Sequence, residues 1–440
     1  DVESRGLGDV YKRQVTATQL QVIAPANEAG ECIIEVMVGA QKTENLRFTY
    51  VDYTPVVSSI SPSSGTENTE ITIIGENFST TPEENIVKIG DAIATVKYAT
   101  ETELKIIAPQ NEIGTYAVTV SVGVKTGKNP ALFTYEDTRE RIYECTQNFI
   151  TVPSDINTQD LKSVTFLKDG RLAYSTNGGS ATEAWAIDLR TMEREKIVPN
   201  GTGTVLLKIT TNPTNGKLYL AYKGEDKISV WDPNTKQVSD LLTRNGLDNL
   251  MDVKFDQHNN MYAVCRNSGT IQKYPSGNYN SSSRLEFVKI TGRQIQAIAF
   301  DAAGNLIAAA TDGSNAGYIY KVDSSGAYTL IAGGGNKVIT EDITEDPKAA
   351  KLEKAEGLMV DKDGYIWFSD GNSGTRKTKI LKPGKNGYQD ATIILVCKAE
   401  NGWKDSGTTS PVDFVQDTDG TIYIADGPNK AIHKVTIGYK

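Results

Sequence analysis

One phrase recurs with changes from about residue 161 to the end of the chain, and it limits the fold more than any other feature. Its clearest copy is Glu356–Ile380, EGLMVDKDGYIWFSDGNSGTRKTKI, in which an apolar run, Asp-Gly, a second apolar run, a polar turn and a third run follow one another. Asp-Gly between apolar alternations is the strongest short-range signal for a β-hairpin, because both central positions of its tight turn need positive φ. The last copy, Pro411–Ile437, matches it nearly position by position, and four more precede, with turns at Asp169-Gly170, Asn215-Gly216, Asn259-Asn260 and Gly304-Asn305. With Gly170, Gly216, Asn260, Gly304, Gly364 and Gly420 as markers, the steps are 46, 44, 44, 60 and 56 residues. Short strands repeating at such a period predict an all-β chain that closes as a six-bladed β-propeller, one blade per copy.

The last copy supplies three strands, Val412–Gln416, Thr421–Ala425 and Ala431–Ile437, and the chain then ends at Lys440. Arg141–Thr151, RIYECTQNFIT, precedes the first copy and belongs to no repeat. It is expected to fill the fourth place, because ring closure by strand 141–151 removes sheet edges open to other chains. The propeller is expected to span 137–440.

The N-terminal part carries a second repeat. Residues 18–28, TQLQVIAPANE, align with 102–112, TELKIIAPQNE, and the match runs through Gly30/Gly114 and Gly39/Gly123 to FTY at 48–50 and 133–135. The copy at 54–135 includes a first half, TPVVSSISPSSGTENTEITIIGENFS, for which the copy at 15–51 has no counterpart. Residues 1–14 carry neither a signal-peptide core nor a strand pattern and read as a non-native leader on a truncated module.

Pro55, Ile60, Pro62, Gly65, Gly75, Asn77 and Phe78 stand where the IPT/TIG family of immunoglobulin-like domains has its Pro-x-x-x-x-Ile-x-Pro-x-x-Gly…Gly-x-x-Phe signature, and 54–135 resembles that family. The physical reading agrees. Pro62 and Gly65 bend the chain after a first strand, Ile71-Thr72-Ile73-Ile74 is β-branched, and Gly75 is expected to supply a positive-φ turn. The resemblance implies a β-sandwich spacer rather than an active module. The propeller copies are similar to NHL repeats: Tyr423-Ile424-Ala425-Asp426 with Asn429, Ile432 and Lys434 fits the Tyr-x-Ala-Asp-x-x-Asn-x-x-Ile-x-Lys pattern. That family implies a binding platform in most cases.

Composition excludes some classes. A formal charge of −9 disfavours nucleic acid, which needs a basic face. No apolar run is long enough for a transmembrane helix. Cys32, Cys145, Cys265 and Cys397 lack metal-ligand spacing and read as free, mostly buried thiols, and His258 and His433 are the only histidines. No metal or other cofactor is expected, and Gly333-Gly334-Gly335 lacks the Lys-Ser/Thr ending of a phosphate loop.

The starts of the inner strands and the turns after the second strands should emerge on one face. Eight residues before the markers stand Lys162, Lys208, Asp252, Gln296, Glu356 and Val412, a polar ring with Asp413 beside its exception. Arg266, Asp370 and Asp426 lie in the turns, where Asp370 and Asp426 read first as turn caps. Two long connections, 332–350 and 398–411, flank copy five; long loops on a rigid scaffold concentrate binding residues. Trp403 lies in the second with Lys404 and Asp405, outside any strand pattern, unlike Trp231 and Trp367. The ligand-binding set expected is therefore Trp403, Lys404, Asp405, Glu356, Asp370, Lys208, Asp252 and Arg266.

Tandem IPT/TIG modules before an NHL-like propeller look like exported surface lipoproteins of Bacteroidetes-type bacteria. The resemblance implies a lipid anchor on the missing N-terminus, a periplasmic or outer-membrane cell-surface location, and carbohydrate binding without catalysis, glycan being the leading ligand. Two alternatives stand beside it. Glu356-Gly357, Asp361, Gly364 and Asp370 resemble a phrase of gluconolactonase and strictosidine-synthase-like hydrolases, which use a channel-bound divalent cation; Lys162 and Lys208 in the predicted ring argue against that. A protein–protein platform with a surface protein partner differs from the first reading only in its ligand.

Overall fold

The structure is a computed structural model and describes residues 12–15, 20–24, 29–38, 40–42, 46–127, 130–136, 138–152, 160–178, 181–201, 205–244, 246–339, 346–371, 377–384, 387–396 and 410–440. Two units divide the chain, 1–139 and 140–440.

Within the first unit, 54–135 is a two-layer sandwich. Val56–Ser61, Glu70–Glu76, Glu103–Ile107 and Ala92–Ala99 pair antiparallel in one layer, and Asn85–Ile89, Gly114–Val122 and Ala131–Tyr135 pair in the other. Alternation delivers one face of each strand to a common core, where Ile71, Ile73, Leu104 and Ile106 meet Val87, Ile89, Val118, Val120 and Phe133. One expectation is corrected here. Gly75 lies inside a strand without positive φ, and it is Asn77 that takes φ 62°. Gly75 is required for close approach instead: a Cβ there would stand 2.0 Å from the Val56 carbonyl oxygen and 2.4 Å from Phe78 Cζ. In residues 29–50 the matching pattern pairs Gly30–Ile34 with Leu46–Tyr50, and there Ile34 and Phe48 are exposed whereas Val118 and Phe133 are buried.

The second unit is a six-bladed β-propeller. Six four-stranded antiparallel sheets follow one another, and their inner strands are Asp160–Phe166, Val205–Thr211, Leu250–Phe255, Gln294–Phe300, Leu358–Val360 and Pro411–Gln416. Each inner strand neighbours the next, and the last neighbours the first. In blade 6, Ala431–Tyr439 pairs on its outer side with Arg141–Thr151, so the two ends of the propeller unit share one sheet.

The cores lie between blades. Six apolar clusters separate the six pairs of adjacent blades, so every second strand is covered on both faces. In Ile366–Asp370, Ile366 and Phe368 pack towards blade 4 while Trp367 packs towards blade 6. Such strands therefore read as unbroken apolar runs, as in MYAVC and LIAAAT, rather than as alternations. Trp231 and Trp367 are buried in these clusters. Cys145 and Cys265 are buried free thiols, Cys32 is a half-buried one, and Cys397 lies outside the described residues.

The hairpin turns have one chemistry. Gly170, Gly216, Asn259, Gly304, Gly364 and Gly420 take φ between 62° and 90°. In blades 3 to 6 an aspartate opens the turn and accepts the N–H four residues on, as Asp256 does from Asn260, Asp301 from Asn305, Asp361 from Tyr365 and Asp417 from Thr421.

Candidate functional site

Those turns set the register of the inner strands, and the register decides what faces the channel. In blade 3 the positive-φ residue is Asn259, one before the marker taken from sequence, and in blade 2 the turn is longer by one residue. The cross-strand pairs show this, since Val253 faces Ala263, Ile209 faces Leu220 and Val164 faces Tyr174. The equivalent positions are therefore Ser163, Lys208, Asp252, Ala297, Gly357 and Asp413.

Four of these six, with Lys254, form buried polar contacts between the inner strands. Asp413 accepts hydrogen bonds from the Ser163 hydroxyl and from the Val164 N–H at 3.2 Å. Lys208 Nζ reaches across from blade 2 to Asp413 Oδ1 at 3.1 Å and donates to the Val412 carbonyl at 2.7 Å. Asp252 accepts the Ile298 N–H of blade 4 at 3.1 Å, and Lys254 Nζ stands 3.9 Å from it. The Lys208, Asp252 and Asp413 side chains are at most 5% exposed. Burial raises the Asp413 carboxyl, but the ammonium groups of Lys208 and Lys254 outweigh it and hold the carboxyl below its ordinary value. Burial also raises Asp252, and there its cations do not overcome the desolvation and the Asp413 charge. Lys208 and Asp252 were expected in a polar ring on one face; the structure buries their side chains and pairs them with groups of other strands.

Asp370 is also buried and bonded. Its Oδ1 accepts the Glu353 N–H at 2.6 Å and its Oδ2 pairs with Lys379. Asp426 repeats the arrangement in blade 6: Oδ1 accepts the Ser410 N–H at 3.2 Å, and Oδ2 meets His433 Nε2 at 3.1 Å. Because His433 Nδ1 accepts the Asn148 N–H at 3.0 Å, the proton of a neutral ring sits on Nε2, facing Asp426. Each buried carboxylate thus tethers the connection that enters its own inner strand. Asp361, a second carboxylate of the hydrolase-like phrase, accepts from Arg141 Nη1 at 2.7 Å and Trp367 Nε1 at 2.9 Å.

What remains is the rim. Antiparallel pairing brings the beginnings of the inner strands and the ends of the second strands to one end of the propeller, where Lys162, Lys223, Arg266, Lys354 and Glu356 stand. Glu356 Oε1 is 2.5 Å from Lys354 Nζ, Lys162 Nζ is 3.2 Å from Asp160 Oδ2, and Arg266 Nη2 donates to Gln294 Oε1 at 2.9 Å. Of the expected set, Glu356 and Arg266 therefore share this rim, Lys208 and Asp252 lie in the channel, and Asp370 lies beneath a connection. Trp403, Lys404 and Asp405 lie outside the described residues. Sequence reasoning passed over Lys223, Lys254 and Lys354; anchoring the count on positive-φ residues would have reached the channel ring, whereas the rim lysines carry no local signal. Among the described residues, no three His, Cys, Asp or Glu side chains are grouped to hold a metal ion, and no helix is long and apolar enough to cross a membrane.

Comparison with known proteins agrees with this architecture. Residues 55–135 match the IPT/TIG domain family. No curated protein matches the chain in sequence. Among solved structures, a protein of unknown function from Bacteroides thetaiotaomicron VPI-5482 is 15% identical with a TM-score of 0.52, over 88% of this chain and 98% of that one. An auxiliary nutrient binding protein from Bacteroides ovatus ATCC 8483 is also 15% identical, with a TM-score of 0.50 over 88% of this chain and 98% of that one. At such identities the likeness is one of fold.

Proposed function

We propose that this chain is a non-catalytic binding protein of the cell surface, whose propeller presents a glycan-binding face at the rim that bears Glu356 and Arg266. The observation that carries this reading is the engagement of the buried carboxylates. Asp252, Asp361, Asp370, Asp413 and Asp426 each accept backbone or side-chain donors from their own or adjacent blades. A general acid, base or metal ligand must instead direct an oxygen at substrate or cation. Of the three carboxylates in the hydrolase-like phrase, Asp361 and Asp370 are thus used in construction and Glu356 is paired with Lys354, which favours binding over the lactonase alternative.

The long connections 332–350 and 398–411 precede the inner strands of blades 5 and 6 in sequence, and Trp403 within the second is the proposed stacking platform for a sugar ring. The shared fold with the auxiliary nutrient binding protein of Bacteroides ovatus supports a nutrient-capture role, with the immunoglobulin-like modules as spacers and a lipid anchor upstream. The test is a glycan array probed with the full chain, followed by calorimetry on any hit. Saturable binding of an unmodified saccharide is expected. Turnover of a lactone or saccharide on addition of calcium would overturn the reading in favour of the hydrolase.

A further inference from the structure

Four cationic side chains stand at the rim, from four different blades. Lys162 begins the inner strand of blade 1, Lys223 ends the second strand of blade 2, Arg266 follows the second strand of blade 3, and Lys354 lies on the approach to blade 5. All four are half-buried. Lys162 and Lys354 have carboxylate partners in Asp160 and Glu356. Arg266 instead directs its Nε and Nη2 at the neutral amide oxygen of Gln294, at 3.2 and 2.9 Å. Among the described residues Lys223 has no ion-pair partner.

Half-burying like charges together is unfavourable. The Lys223 ammonium shows it: burial lowers its pKa, the charges of Arg266, Lys354 and Lys162 lower it further, and only Glu356 among its strongest neighbours opposes them. This gathering occurs in a chain whose formal charge is −9, where 55 carboxylate side chains outnumber 46 cations, yet only two of the four rim cations have a carboxylate partner. An excess of cations kept in this way at the rim is suited to an incoming anion.

We infer that the rim cluster of Lys162, Lys223, Arg266 and Lys354 recognises the anionic substituent of an acidic saccharide, a carboxylate or a sulfate ester. The inference rests on the glycan reading above and gives its ligand class. The guanidinium fork of Arg266 can hold either group through two N–H donors, exchanging the Gln294 amide for a charged acceptor. Lys223 supplies the uncompensated point charge.

The test is calorimetric titration of the full chain with four probes, oligogalacturonates, chondroitin sulfate oligosaccharides, neutral malto-oligosaccharides and inorganic sulfate, at low and high salt. Acidic probes are expected to bind at least about tenfold more tightly than neutral ones, with affinity falling as salt rises; preference between the first two identifies carboxylate or sulfate. Lys223→Gln and Arg266→Gln should each lose about tenfold or more, Lys223→Arg should retain binding, and melting temperatures confirm that each variant folds. Equal affinity for neutral and acidic probes would overturn the anion subsite and leave the glycan reading intact. Binding of inorganic sulfate, abolished by Lys223→Gln, without binding of any saccharide would keep the subsite and remove the glycan reading. Binding of none of these probes would overturn the inference.

Discussion

Arg141 offers the sharpest test of how the ring is held. It begins the strand Arg141–Thr151, which pairs with Ala431–Tyr439, but its side chain reaches into blade 5. Nη1 stands 2.7 Å from Asp361 Oδ2, Nη2 contacts Asp363, and the guanidinium lies 3.6 Å from the centre of the Tyr365 ring. The Arg141 side chain is 4% exposed and that of Asp361 0% exposed, so Arg141→Met leaves a carboxylate without its cation in a dry site. Removing one partner of such a pair costs about 3–5 kcal/mol. Asp361 still accepts from Trp367 Nε1 and from the N–H groups of Asp363 and Tyr365, which places the loss near the lower figure. Loss of the ring contact adds about 0.5–2 kcal/mol, so a total near 4 kcal/mol is expected. Arg141→Lys should recover part of it, since a point charge can meet Asp361 but not both aspartates as a fork does. Urea titration followed by circular dichroism gives the values, and the double variant Arg141→Met/Asp361→Asn gives the coupling. A loss below about 1 kcal/mol for Arg141→Met would refute the idea that this ion pair fastens blade 6 to blade 5.

Other outcomes follow from the same geometry. Gly75→Ala should destabilise the 54–135 sandwich by about 1–3 kcal/mol, because its methyl would overlap the Val56 carbonyl; an unchanged melting transition for that domain would show that the backbone yields. The Asp413 carboxyl is held below its ordinary value of 3.8, so its stabilisation is complete above that pH and is lost as pH falls through the lowered folded value. Asp413→Asn should therefore lower stability at neutral pH and flatten the acid limb of the stability curve, and identical acid limbs would contradict the assignment. Asp426→Asn should weaken the hold on the connection at Ser410 and raise hydrogen exchange there before it lowers global stability; unchanged exchange would remove the tether. Once a glycan ligand is identified, Trp403→Ala should weaken its binding by about 1–3 kcal/mol with little change in melting temperature, and equal affinities would dismiss the stacking platform.

The sequence by itself determined the blades. A hairpin turn is local chemistry: positive φ at Gly364 or Gly420 and an aspartate bonding to its own turn are encoded within five residues, so six recurrences could be counted without coordinates. The IPT/TIG signature was legible for the same reason, although it did not reveal that Gly75 serves close packing rather than a turn. Tertiary structure alone decided which polar side chains are buried and which remain at the rim. One extra residue in the blade 2 turn and a shift from Asn260 to Asn259 in blade 3 put Lys208 and Asp252 in register with Ser163 and Asp413 rather than with Lys162 and Val412, and in a strand one position exchanges the faces. The ring's charges are neutralised across the channel, Lys208 of blade 2 by Asp413 of blade 6, while Arg141 and Asp361 meet from 220 residues apart. Pairings between distant blades leave no trace in a local pattern, because it is the closure of the ring that brings them within reach.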